Sequence, residues 1–160
     1  MNKKTNLGTF TPVFGLIALL TCTLLATSAI AESGGRLVGV FDTHLTLTNC
    51  HGVVIRTLEA LQMFNQGGTL ASTDNQPPSS RGAGFGTWEN MGGRSYSAPF
   101  QFFSFNPDGT FAGTVKIARN ILLAADANSY TSTVSVEILD PNGNVIATLC
   151  GTESATRLFD

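Results

Sequence analysis

Arg119 is the residue whose setting most asks for a chemical explanation. In the run "TFAGTVKIARNILLA" (Thr110–Ala124), a two-residue period puts Phe111, Gly113, Val115, Ile117, Arg119, Ile121 and Leu123 on one face, and only Arg119 among them is charged. A charge on a buried face is costly unless it is paired. It could anchor the carboxylate of a bound ligand. It could equally be neutralised by Glu89, Glu137 or Glu153, or sit in water at the edge of the fold. Aromatic residues crowd the preceding segment, and alternation sends Tyr96, Ala98, Phe100 and Phe102 one way and Phe103 and Phe105 the other. Trp88, Tyr96, Phe100, Phe102 and Phe111 therefore form a candidate lining for an apolar ligand, with Arg119 as its polar anchor. The same side chains would serve as plain core.

Signs of catalysis are sparse. Asp42 and His44 stand two apart on one strand face, close enough for the carboxylate to orient the imidazole, but no nucleophile is singled out beside them, and His44 reads as an exposed strand residue. His-Glu-x-x-His, Gly-x-Ser-x-Gly, phosphate-loop and EF-hand patterns are absent from the sequence. The residues favour a non-enzyme, and nothing in them calls for a cofactor. Cys50 and Cys150 lack the C-x-x-C spacing of a metal site, so no metal ligand set is assigned. In an oxidising compartment this pair reads as one disulfide. Closing so long a loop would constrain the unfolded chain by about 4–5 kcal/mol.

That compartment is suggested by the first residues. Lys3 and Lys4 precede the apolar stretch "VFGLIALLTCTLL" (Val13–Leu25), and Ala29 and Ala31 have the small-residue spacing of a cleavage site. Residues 1–31 read as a secretory signal peptide and residues 32–160 as one domain. The apolar stretch is short for a membrane anchor, and Thr21 is a poor neighbour for a lipidated Cys22. The expected location is exported, periplasmic or extracellular, with no stable membrane insertion after cleavage. The formal net charge is −2 with scattered basic residues, which disfavours nucleic acid as a partner. A small apolar ligand remains a possible partner, and the sequence is silent on oligomeric state.

The segments that must position these residues read as strands. Thr- and Val-rich alternating runs occupy Arg36–Asn49, Val53–Asn65, Thr69–Thr73, Phe85–Met91, Arg94–Phe105, Thr110–Ala124, Tyr130–Leu139 and Asn144–Phe159. Val53–Asn65 would also suit a helix, but its β-branched start and the Gly67-Gly68 that follow it favour a strand. Asp74–Gly84 is the one long loop, rich in Pro, Ser and Gly. "NPDG" (Asn106–Gly109), "DPNG" (Asp140–Gly143) and Gly92-Gly93 are tight-turn sequences. Eight strands joined by short turns predict an all-β fold, a single antiparallel meander closed into a barrel, with a β-sandwich as the alternative. An outer-membrane barrel is disfavoured by mid-strand charges such as Lys116 and Glu137.

A secreted meander with a disulfide tying its first and last strands resembles the calycin group of barrels, which includes the lipocalins. "GFGTWENMGG" (Gly84–Gly93) carries a lipocalin-like G-x-W at Gly86-Thr87-Trp88. Lipocalins carry that motif on the first strand, its Trp beneath an Arg from the last; here Arg157 is on the last strand but Trp88 falls on the fourth. The texture of "GTWENMGGRSYSAPFQFFSFNPDGTFAGTVKIAR" and "DPNGNVIATLCGTESATRLF" is similar to small exported bacterial proteins with calycin-like barrels. That resemblance implies a fold and an exported location, and no activity. The function expected from the fold's usual use is binding of a small apolar or amphipathic ligand in the lumen or at its mouth. The alternatives are a cyclase- or isomerase-like barrel, or a filled barrel that binds another protein through Asp74–Gly84 and its neighbours.

Overall fold

A computed structural model describes residues 37–159, so the expected signal peptide, residues 1–31, lies outside the described residues. They form ten strands: β1 Gly39–Thr48, β2 Val54–Phe64, β3 Thr69–Asp74, β4 Gly84–Thr87, β5 Glu89–Gly92, β6 Ser95–Ser97, β7 Phe100–Phe105, β8 Phe111–Leu123, β9 Ser129–Leu139 and β10 Val145–Arg157. The order β8-β7-β4-β3-β2-β1-β10-β9 closes on itself through β8–β9, giving a closed eight-stranded antiparallel barrel. β5 and β6 pair with each other, and β6 pairs with β8. They prolong β4 and β7, so the barrel is the eight-segment meander expected from the sequence.

The two extra strand breaks have local causes. Pro99 has no N–H for the ladder, while its carbonyl accepts the Thr87 N–H at 3.1 Å. On the facing strand Trp88 leaves the ladder, donating its backbone N–H to Gly68 at 2.7 Å and turning its indole inward. Gly86 lies between these breaks, and a Cβ there would collide with the Pro99 carbonyl and Phe100. The glycine of the G-x-W is thus required by close strand approach.

Alternation then sorts the side chains. Leu37, Phe41, Thr43, Leu45 and Leu47 point inward from the first strand and its lead-in. Ala60, Gln62 and Phe64 point inward from β2, which leaves Leu61 and Met63 outside. The inward set joins Trp88, Tyr96, Phe100, Phe102, Ile117, Ile121, Tyr130 and Val136 in one core within the barrel.

Cys50 and Cys150 are joined as a disulfide. Cys150 sits opposite Thr48, at the last pair of the β1–β10 ladder that joins the first strand to the last. Replacing both cysteines by serine is expected to lower unfolding free energy by about 2–5 kcal/mol. Urea denaturation of the oxidised wild type and the double variant measures this, and equal midpoints would show that the staple is dispensable.

Candidate functional site

The chemically richest group of residues lies inside the barrel around Arg119. β8 carries Arg119 inward at 1 % exposure. Its Nη1 donates to Gln62 Oε1 from β2 and stands 3.6 Å from Glu153 Oε2 on β10. Its Nε donates to the Ala98 carbonyl at 3.2 Å. Of the three acids the sequence offered, Glu153 is the partner. That carboxylate is itself buried and accepts from Ser132 Oγ on β9 at 2.7 Å and from Gln62 Nε2 at 3.4 Å. Four strands therefore meet in one charge-neutral polar network. Beside it, the Thr43 and Tyr130 hydroxyls share a hydrogen bond at 3.2 Å.

Aromatic rings surround this network. The Arg119 guanidinium lies 4.6 Å from the centre of the Phe100 ring and 5.7 Å from that of Phe64. Phe64 makes edge contacts with Phe41, Trp88 and Tyr130, and Trp88 contacts Tyr96. The Trp88 indole N–H donates to the Asn65 carbonyl at 3.0 Å. The structure thus brings together Trp88, Tyr96, Phe100, Phe102 and Arg119, all buried.

Phe111 does not join them. The alternation expected for it breaks at a bulge, where Ser104 pairs with Gly113 but Phe105 pairs with Phe111. Gly113 (φ +139°) presses against the Leu139 carbonyl, where a Cβ would clash. One extra residue reverses the parity of the strand. Phe111 is therefore 43 % exposed and packs edge-on against Phe103 and Phe105 rather than facing the lumen.

Two further arginines cap the core. At the end where β1 begins and β10 finishes, Arg157 lies 4.6 Å over the Phe41 ring and donates to the Val38 and Ala127 carbonyls. Toward the other end Arg81, from the β3–β4 loop, lies 4.1 Å over Phe102 and pairs with Asp74 at 2.9 Å. Burial pulls the Arg81 pKa below its ordinary value, and Asp74 opposes that shift. The loop is stitched to β7 by Gly82 N–H to the Phe103 carbonyl and Phe105 N–H to the Ser80 carbonyl. These bonds tie the Ser80–Gly82 part of the Asp74–Gly84 loop to β7, while Asn75, Pro77, Pro78 and Ser79 stay exposed.

The sequence pattern did not single out Gln62, Ser132, Thr43, Tyr130 or Arg81. Gln62 was detectable, because it shares the inward register of Ala60 and Phe64. Arg81 was not, since a loop carries no periodicity.

His44 is an exposed strand residue, as expected. His44 Nδ1 bonds Glu59 Oε1 at 2.6 Å on the exposed outer wall, and Glu59 is its direct neighbour on β2. His51 caps the β1–β2 turn through Asn49. Among the described residues no cluster of three His, Cys, Asp or Glu side chains could hold a metal, and no helix is long and apolar enough to cross a membrane. In comparisons with known proteins, no family model, no curated protein and no solved structure matches the chain.

Removing one member of a buried ion pair strands the other charge and typically costs about 3–5 kcal/mol. Glu153→Ala should show a loss of that size in denaturant unfolding. Exchanging both charges for apolar residues, Arg119→Met with Glu153→Leu, should recover much of it; additive losses would mean that the pair is not coupled.

Burial, reinforced by the charge of Glu153, raises the Tyr130 pKa, against smaller opposing effects of Arg119 and Thr43. The unfolded phenol ionises near its ordinary value of 10.0 while the folded one resists. Tyr130 therefore supports folding fully below that value, and its contribution falls as pH rises beyond it. Unfolding curves on either side of pH 10 should show this decline, and Tyr130→Phe should flatten it. An unchanged slope in the variant would exclude Tyr130 as its source.

Proposed function

We propose that the protein is an exported barrel of calycin type whose interior is structural core, and that it works as a binding module for another protein through its outside. One observation carries the reading: the Arg119 side chain has no exposed surface and its charge is matched by Glu153. A group so enclosed has no water-sized space beside it, and its charge is already taken. A ligand carboxylate would have to displace Glu153 and leave that carboxylate buried without its cation. The described hollows of about 240–560 Å³ are bounded largely by outward-facing side chains. This favours the filled-barrel reading over a lumen carrier of an apolar ligand or a lumen cyclase, in which Trp88, Tyr96, Phe100 and Phe102 would line a pocket.

The calycin resemblance is supported by the closed end. There an arginine of the last strand covers an aromatic ring of the first, Arg157 over Phe41, a place filled in lipocalins by the Trp of the G-x-W. Export is supported by the leader-like residues 1–31 and by a disulfide that needs an oxidising compartment.

Native mass spectrometry of protein purified from the exported fraction, followed by organic extraction, tests the reading. The expected mass is that of residues 32–160 less two hydrogens, with nothing bound. A stoichiometric organic ligand would overturn the filled barrel, and an uncleaved mass would overturn export with processing after Ala31.

A further inference from the structure

The Cys50–Cys150 bond lies on the outside of the barrel. Cys150 shares the outward face of β10 with Thr148, Thr152 and Ser154, while Glu153 and Ala155 on the other face are buried. Its partners in the ladder are Thr48 on β1 and Ser135 on β9. The outward positions adjoining Cys150 are therefore Thr48, Ser135, Thr148 and Thr152, all small and uncharged. In the next rank Glu137 stands opposite Thr148, and on its other side it faces Lys116 of β8. Cys50 begins the β1–β2 turn. Its left-handed backbone, with φ +64°, turns the chain out of the β1 ladder. Cys50 is exposed, whereas Cys150 is half-buried.

Exchange of a disulfide requires a thiolate to reach one of its sulfurs, so access and local charge set the rate, and exposed disulfides are the labile ones. Here neither bulk nor a directly adjoining carboxylate shields the bond. We propose that Cys50–Cys150 is a thiol–disulfide exchange site of the folded barrel, with Cys50 the sulfur attacked and a small thiolate the substrate. The incoming sulfur bonds to Cys50 Sγ. The Cys50–Cys150 bond breaks, and its electron pair leaves with Cys150 Sγ, which takes up a proton from water. Cys50 then carries the thiol as a mixed disulfide. A second thiolate attacking the carried sulfur releases an external disulfide. Cys50 and Cys150 end reduced, and two thiols end oxidised.

The barrel keeps its shape through this cycle. β1 and β10 remain paired from Phe41–Arg157 to Thr48–Cys150. Glu153 stays tied to Arg119 and Ser132, and Arg157 to the Val38 and Ala127 carbonyls. The β1–β2 turn has hydrogen bonds of its own: Asn49 Oδ1 accepts from the His51 and Val53 N–H groups at 3.0 and 3.2 Å, and the Asn49 N–H donates to the Val53 carbonyl at 3.1 Å. Exchange at this bond is independent of what the outer wall binds.

Brief treatment of the oxidised protein with 2-mercaptoethanol, followed by an acid quench and peptide mass spectrometry, tests the site. The adduct should sit on Cys50, with a free thiol at Cys150 and unchanged far-ultraviolet circular dichroism. The rate should stay nearly constant in urea up to the unfolding transition, because the folded state reacts. A route through global unfolding would instead speed up with each addition of urea. Ser135→Glu places a carboxylate beside Cys150 and should slow exchange by about 5-fold at low salt, the effect of two like charges roughly 4 Å apart in water. Thr131→Glu, four residues away along β9, should slow it less. An adduct confined to Cys150 would overturn the proposal. So would a rate that climbs from the first addition of urea, or one indifferent to Ser135→Glu.

Discussion

The buried charge of Arg119 is the constraint around which the barrel is organised. A guanidinium with no exposed surface must be neutralised in place, and here Arg119 reaches Gln62 on β2 and Glu153 on β10, while Ser132 on β9 donates to the same carboxylate. A one-residue slip in any of these strands would turn Gln62, Ser132 or Glu153 outward. Apolar inner faces also resist a one-residue slip, but they discriminate less against a two-residue one, because one branched side chain can replace another. A polar network tolerates no such exchange, since each missing partner leaves a desolvated group unpaired. The network also occupies the middle of the barrel with the groups that hold its strands in step.

Stacking of arginine on phenylalanine recurs along the barrel. Arg157 over Phe41 closes one end, Arg119 beside Phe100 occupies the middle, and Arg81 over Phe102 covers the core toward the other end. Each planar cation covers a ring while its N–H groups reach backbone carbonyls or a carboxylate, so the apolar interior gives way to hydrogen-bonded closures. The disulfide at the last rung of the β1–β10 ladder completes the arrangement.

The departures from ideal strands shape the outside as the polar network shapes the inside. Pro99 and Gly86 break and press together neighbouring strands, leaving a recess on the wall beside Phe85. The bulge at Gly113 moves Phe111 from the inner face to the outer one, next to Phe103. Inside and outside are therefore linked: the irregularities that let the core pack also place aromatic residues on the outer wall.

Strand number, order and most inward positions were legible in the sequence, because alternation has a period of two and tight turns force sequential strands to pair. Arg119 stood out for the same reason, as did the pairing of Cys50 with Cys150. The choice of Glu153 over Glu89 and Glu137 was not legible, since it depends on the stagger with which the last strand returns to the first. The exposure of Phe111 was hidden because a single bulged residue inverts all parity beyond it. Arg81 was hidden because a loop has no period to read. The sequence by itself determined local conformation and the pattern of faces. Only the tertiary structure decided which distant residues meet, because that depends on ring closure and shear, which no stretch of chain encodes alone.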